Sequence, residues 1–130
     1  ARFGFSSPHA TASPWLPQPQ QWALYTVEAE EADPGSMLNL YKAALRIRKA
    51  EPALGDGAFA WLDLGPDALA FRRGDDLISV TSFDAPVELP PHREVLLASS
   101  EVADGVLPTN STAWLRPQHE PGEPHPITQR

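Results

Sequence analysis

Carboxylates are the side chains of this sequence most able to do chemistry, because two of them set close together can divide the roles of acid and base or nucleophile. Cleavage of a glycosidic bond is one reaction that needs such a pair, about 5 Å apart when configuration is retained and farther apart when it is inverted. Glu28, Glu30, Glu31 and Asp33 are crowded just ahead of a helix, where capping free N–H groups is the expected role. Asp75 and Asp76 follow Gly74 in a turn, a setting that favours Asp because it bonds to its own backbone. Neither group has the apolar surroundings of a buried pair, so no catalytic residue is assigned. His9, His92, His119 and His125 show no i, i+4 pairing and the chain has no cysteine, so neither a metal site nor a cofactor is expected.

Other motifs carry less. Gly55-Asp56-Gly57-Ala58-Phe59-Ala60 matches a dinucleotide fingerprint, but it follows a helix and enters a strand, the reverse of the order that aims a helix N-terminus at a pyrophosphate. It reads as a turn. Gly4-Phe5-Ser6-Ser7-Pro8 lacks the second glycine of a nucleophile elbow. Asn110-Ser111-Thr112 fits a glycosylation sequon, which matters only in a secretory compartment. Phe59 and Trp61 share one strand face and could stack on sugar, but packing on the helix or in the core is the favoured role. Trp61 and Trp114, set among Leu62, Ala113 and Leu115, are therefore expected to be mainly buried.

The elements that would position these residues follow from patterning. Fifteen prolines among 130 residues are more than twice the usual share of about 5%. They concentrate at both ends, so residues 1–32 read as a proline-rich loop and residues 117–130, with Ile127 as their only aliphatic side chain, as a disordered tail. Between them, Asp33 to Lys49 predicts one long helix spanning about 33–51, with Asp33 as N-cap, Pro34 at the first position and Pro52 beyond the end. Met37, Leu38, Leu40, Tyr41, Ala44, Leu45 and Ile47 fill an arc of roughly 180°. Arg48 falls inside that arc; pairing with carboxylate or carbonyl groups, fastening helix to sheet, is the expected solution.

Residues 52–116 then predict about six short antiparallel strands, drawn from Ala58–Leu62, Ala68–Phe71, Leu77–Phe83, Val87–Leu89, Val95–Ala98, Gly105–Leu107 and Ala113–Leu115. The fold class is mainly β, a small antiparallel sandwich behind one helix. A formal net charge of −7 and the absence of a basic stripe argue against nucleic acid or an anionic membrane as partner. No apolar stretch approaches the roughly 18 residues of a membrane span. The start, Ala1-Arg2-Phe3-Gly4-Phe5, is neither a signal peptide nor an initiator methionine and reads as a cut end. The lack of cysteine fits a reducing, cytoplasmic setting.

Several segments appear together in a specific order: Phe3-Gly4-Phe5-Ser6, Trp15-Leu16-Pro17-Gln18-Pro19, Trp22, and Val27-Glu28-Ala29-Glu30-Glu31-Ala32-Asp33-Pro34-Gly35-Ser36-Met37-Leu38-Asn39-Leu40-Tyr41. They continue with Leu45-Arg46-Ile47-Arg48, Ala53-Leu54-Gly55-Asp56-Gly57, Trp61-Leu62, Leu69-Ala70-Phe71-Arg72-Arg73, Val95-Leu96-Leu97-Ala98-Ser99, Leu107-Pro108 and Ala113-Trp114-Leu115. In this order the chain resembles the family 13 α-glucosidases of high-GC bacteria over about residues 3–116. Thr26 and Glu30 depart from the Asn and Gln usual there.

The resemblance implies that residues 1–32 are the loop after the last strand of a (β/α)8 barrel, 33–51 its last helix and 52–116 a C-terminal β-sandwich. The implied parent is a retaining, exo-acting α-glucosidase acting on terminal α-linked glucose of short oligosaccharides, with its catalytic carboxylates on earlier barrel strands. The implied partners are the catalytic barrel of the same protein and its α-glucoside substrate. This chain alone would be inactive scaffold. Phe3, Phe5 and Trp15 could rim the pocket; Asp33, Arg48, Trp61 and Trp114 would be structural. The alternative is a free-standing carbohydrate-binding or interaction module, which exposed coplanar aromatics would favour.

Overall fold

The computed structural model describes Phe3 and residues 9–118 and divides the chain into two units, Ala1–Arg46 and Ile47–Arg130. In the first, a short 3-10 helix over Gln20–Tyr25 precedes α1 (Val27–Ala32) and α2 (Met37–Ala50), whose last residues belong to the second unit. The region read as loop thus contains a helical turn of its own. Thr26 makes it possible, because its Oγ1 accepts the Ala29 N–H at 3.2 Å.

The long helix begins at Met37, later than expected. Ser36 is its cap: the Oγ accepts the Asn39 N–H at 3.2 Å and donates to the Glu30 carbonyl at 2.6 Å. Glu30 adds a second cap through Oε2, which accepts the Leu38 N–H at 3.1 Å. Asn39 Nδ2 donates back to the carbonyls of Glu30 at 2.9 Å and Asp33 at 2.7 Å. The role expected of Asp33 is corrected accordingly. Its carboxylate accepts the Gly35 N–H at 2.9 Å and so closes a turn ahead of the helix, leaving the capping to Ser36 and Glu30. Lys42 pairs with Glu31 at 2.5 Å across an exposed surface, a contact that contributes little.

The second unit is a small β-sandwich, all of its strand pairs antiparallel. One sheet runs β1 (Phe59–Leu62), β2 (Ala68–Arg73), β3 (Leu77–Ser82), β7 (Ser111–Pro117) and β5 (His92–Ala98) in that spatial order. The other pairs β4 (Val87–Glu88) with β6 (Val106–Leu107). Register aligns Leu62, Ala70, Val80, Ala113 and Ala98 across the large sheet, and this row faces the core. Val87 and Leu107 from the small sheet close over it, with Ile78 and Leu115 beside them. β7 shows the cleanest alternation, burying Ser111, Ala113, Leu115 and Pro117 while Thr112, Trp114 and Arg116 face the other way. Pro117, expected as the first residue of a disordered tail, is thus the last residue of a strand; residues 119–130 of that tail lie outside the described residues.

Turn chemistry explains the strand ends. Asp104 and Gly105 both have positive φ, 52° and 73°, and the Val106 N–H donates to the Ala103 carbonyl at 2.9 Å. Such a pair suits a two-residue hairpin turn, so Gly105 belongs to the turn and β6 starts after it. The Gly55-Asp56-Gly57 segment is also a turn. Arg73 donates from Nε to the Ala53 carbonyl at 3.3 Å and from a terminal nitrogen to the Gly55 carbonyl at 2.7 Å, so carbonyl oxygens are turned toward a cation. That is unlike a phosphate cradle, which presents N–H groups. A Cβ on Gly57 would collide with the backbone of Ala53, which cannot swing aside. Gly57→Ala should therefore cost about 1–3 kcal/mol, read as a lowered urea midpoint, while Asp56→Ala at the exposed neighbouring position should be near neutral.

Candidate functional site

Among the described residues, the carboxylates that come together, Glu51 and Glu94, are both bound to the Arg116 guanidinium. Glu30 and Asp33 are used at the start of α2, Glu31 by Lys42, and Asp75 and Asp76 stand exposed in the turn between β2 and β3. Among the described residues, no group of three His, Cys, Asp or Glu side chains could hold a metal ion, and no helix is long and apolar enough to cross a membrane. His119 and His125 lie outside the described residues.

The residues expected at a pocket rim divide. Phe3 is half-buried, its backbone N–H donating to Gln18 Oε1 at 3.3 Å. Trp15 is 98% exposed, and Phe5 lies outside the described residues. Within the first unit Ser36 is the only described residue that is buried. Leu16, Leu24, Tyr25 and Val27 are exposed, as are Met37, Tyr41 and Leu45, which follow one another at i, i+4 and i+8 along one face of α2.

Arg48 departs from expectation. It is exposed, and its side chain makes no hydrogen bond or ion pair with the described residues. In the last turn of α2 its long stem can carry the guanidinium past the helix end into water. Within the second unit it is Arg116 that pairs with carboxylates. Its guanidinium pairs with both carboxylate oxygens of Glu51, just beyond α2, and donates from Nε to Glu94 Oε2 at 3.2 Å. The hydrogen bond to Glu51 raises the Arg116 pKa above its ordinary value, so this cation is retained at every usable pH and its contribution would fade only in strong alkali. Arg116→Gln should lower stability by about 1–2 kcal/mol after allowing for the partly solvated setting, whereas Arg48→Lys should be near neutral; urea midpoints of the two variants check this.

Trp61 also departs from expectation. It is 65% exposed, and Trp114 is half-buried. The reason is strand position: β1 is an edge strand, and the face that carries Trp61 is opposite the core. Register places Trp61, Phe71, Ser79, Trp114 and Leu97 in one row across this outer face. Phe59 and Phe71 stack at 5.3 Å with planes 27° apart, but Trp61 meets Phe59 at 4.8 Å and Phe71 at 6.1 Å, edge to face at 88° in both cases. Phe71 was missed as a member of this group, although its two-residue spacing from Leu69 in β2 marks the face it shares.

Comparison with known proteins adds the following. No protein-family profile matches the chain. A protein of Rhizobium meliloti (strain 1021) described as a probable α-glucosidase is 36% identical over 96 residues, which cover 69% of this chain and 17% of that protein. The trehalulose synthase of Pseudomonas mesoacidophila MX-45 shares the fold with a TM-score of 0.63 and 24% identity, over 82% of this chain and 22% of that one. The α-amylase of H. orenii does so with a TM-score of 0.56 and 22% identity, over 80% of this chain and 25% of that one. The chain therefore spans about a fifth of the length of the proteins it matches.

Proposed function

We infer the function of this chain from its family: it belongs with the C-terminal part of the family 13 glycoside hydrolases, and we propose that it is the scaffold portion of a retaining, exo-acting α-glucosidase. The parent would act in the cytoplasm on terminal α-linked glucose of short oligosaccharides. The observation that carries this reading is the 36% identity to a probable α-glucosidase that is several times longer. In the parent, residues 1–32 would be the loop after the last barrel strand and α2 the last barrel helix, which gives the exposed Met37, Tyr41 and Leu45 a surface to cover. Phe3, Phe5 and Trp15 would stand on the rim of the substrate pocket, and the exposure of the Trp15 ring leaves it available for that. Asp33 would help set the turn into α2, with Trp61 and Trp114 at a domain contact.

On this reading the reacting carboxylates belong to the rest of the parent. Incubated with an aryl α-glucoside, the 130-residue chain is expected to release no aryl alcohol. Turnover that copurifies with it and vanishes when Asp75 and Asp76 are both changed to Asn would overturn the reading.

One observation favours a second reading, a free-standing sugar-binding module: Trp61 is exposed. The crossed ring planes weigh against it, because stacking on a pyranose asks for flat, accessible ring faces. A saturable maltose-induced change in tryptophan fluorescence, lost in a folded Trp61→Ala variant, would decide for the module.

A further inference from the structure

We propose that residues 51–57 form a strap across the outer face of the large sheet, closed by two arginine clasps, Arg116 and Arg73, and able to open as one unit while the core of the sandwich stays shut. Leu77 is completely buried, yet by the alternation of β3 it lies on the face opposite Ile78 and outside the cluster that Ile78, Val80, Leu107 and Leu115 form between the sheets. Its cover comes from chain lying on the outer face. The two side chains that fasten such chain stand on either side of it. Arg73 is its register partner on β2, and Arg116 follows Leu115, the partner of Ile78, which puts it level with Leu77 on β7. Arg73 donates to the Ala53 carbonyl at 3.3 Å and the Gly55 carbonyl at 2.7 Å, while Arg116 holds both carboxylate oxygens of Glu51. A segment fixed at residue 51 over β7 and at residues 53 and 55 over β2 crosses β3 between them, above Leu77. It also rests on the turn between β2 and β3, where a Cβ on Gly74 would stand 3.7 Å from the Ala53 Cβ.

Little besides the clasps holds the strap. Its one regular element is the 3-10 turn Pro52–Leu54, which buries no side chain, and so short a turn has no stability of its own. Its backbone hydrogen bonds stay within it or run back into α2. Releasing one clasp therefore leaves the other to hold a segment with no further anchor, and the two act together. Opening leaves no ion stranded. Arg116 keeps its hydrogen bond to Glu94 at 3.2 Å, and Glu51 and Arg73 pass into water. The core is untouched, because its side chains project from the other face of the sheet. Few buried contacts and polar fastenings near solvent are the marks of a segment that opens locally, below the cost of global unfolding. The device lies wholly within the second unit and does not depend on the activity proposed for the parent.

Thiol labelling tests this directly. The chain has no cysteine, so Leu77→Cys places a single thiol beneath the strap and Leu107→Cys a single thiol in the core. Without denaturant, a soluble disulfide reagent should modify the thiol at position 77 at least about tenfold faster than the one at 107. Dilute urea should hardly change the first rate, since lifting the strap exposes little surface, and should raise the second steeply. Arg116→Gln and Arg73→Gln should each speed labelling at position 77 about tenfold, the scale of a lost charged hydrogen bond. Equal rates at the two positions with the same urea dependence would overturn the proposal, because the strap would then open only when the sandwich unfolds. So would acceleration by one arginine variant alone, because the clasps would then act singly. Should Leu77→Cys fail to fold, amide exchange in the cysteine-free chain reads the same event. The Leu54 and Gly55 N–H groups, bonded to the Glu51 and Pro52 carbonyls at 3.1 and 2.9 Å, should exchange faster than those of β3 and β7 and about tenfold faster still in each arginine variant. Exchange unchanged by either variant would reject the strap.

Discussion

Leu115→Ala is expected to remove about 3–5 kcal/mol from the stability of the sheet unit, a large share of the roughly 5–15 kcal/mol available to a domain of this kind. Leu115 is fully buried in β7, level with Ile78 on β3 and Val95 on β5, so the strands on both sides would have to move to refill the space. Close-packed sheets relax only partly around such a deletion, and the residual cavity adds its own cost. The urea midpoint should fall with the slope of the transition unchanged. Leu45→Ala provides the contrast. Its side chain is 61% exposed, so in the 130-residue chain the change should be nearly silent, and equal losses at the two positions would contradict the assignment of the core.

Amide hydrogen exchange should show a still larger difference along the chain. The N–H groups of β3 and β7, paired over Ile78 to Ser82 and Ser111 to Leu115 at the centre of the large sheet, should exchange only through global unfolding. That corresponds to protection of about a thousandfold or more for a stability above roughly 4 kcal/mol. The N–H groups of Gln20–Tyr25 and α1 should show little protection, because those short helical segments bury no side chain. Protection of comparable size in α1 and in β7 would contradict the view that the first unit lacks a core of its own.

The sequence carried the sheet more clearly than it carried the first unit, for a physical reason. In β7 the buried residues alternate strictly, and the two-residue period of Ala113 and Leu115 fixes which face meets the core. The same period could not say which face of β1 is buried, because Phe59 and Trp61 are as apolar as any core pair and a strand at the edge of a sheet has little cover. Helix boundaries depended on competition among near-equivalent caps. Asp33-Pro34 is a sound start signal, but Ser36 and Glu30 together satisfy more N–H groups, and Asp33 is then free to close the turn through Gly35. Thr26 caps α1, while Glu30 shares the capping of α2 with Ser36.

Arg48 lies on an apolar arc, but that arc is itself exposed at Met37, Tyr41 and Leu45, so the charge remains in water and needs no partner. The acidic partner lay at Glu51, and the arginine that reaches it is separated from it by 65 residues of chain. Such long-range pairs follow from register: Arg116 sits opposite Glu94 between β7 and β5, and only the assembled sheet brings both carboxylates to one guanidinium.

The central claim is that these residues are the non-catalytic portion of a larger α-glucosidase. The most direct test is the rate of aryl α-glucoside hydrolysis by the longer polypeptide and by the 130-residue chain, measured side by side at equal molar concentration. The account predicts turnover by the longer polypeptide with the α-anomer of glucose as first product, as retention requires, and none by the 130-residue chain. Turnover by the 130-residue chain, a β-anomeric first product, or no hydrolysis by the longer polypeptide would contradict it.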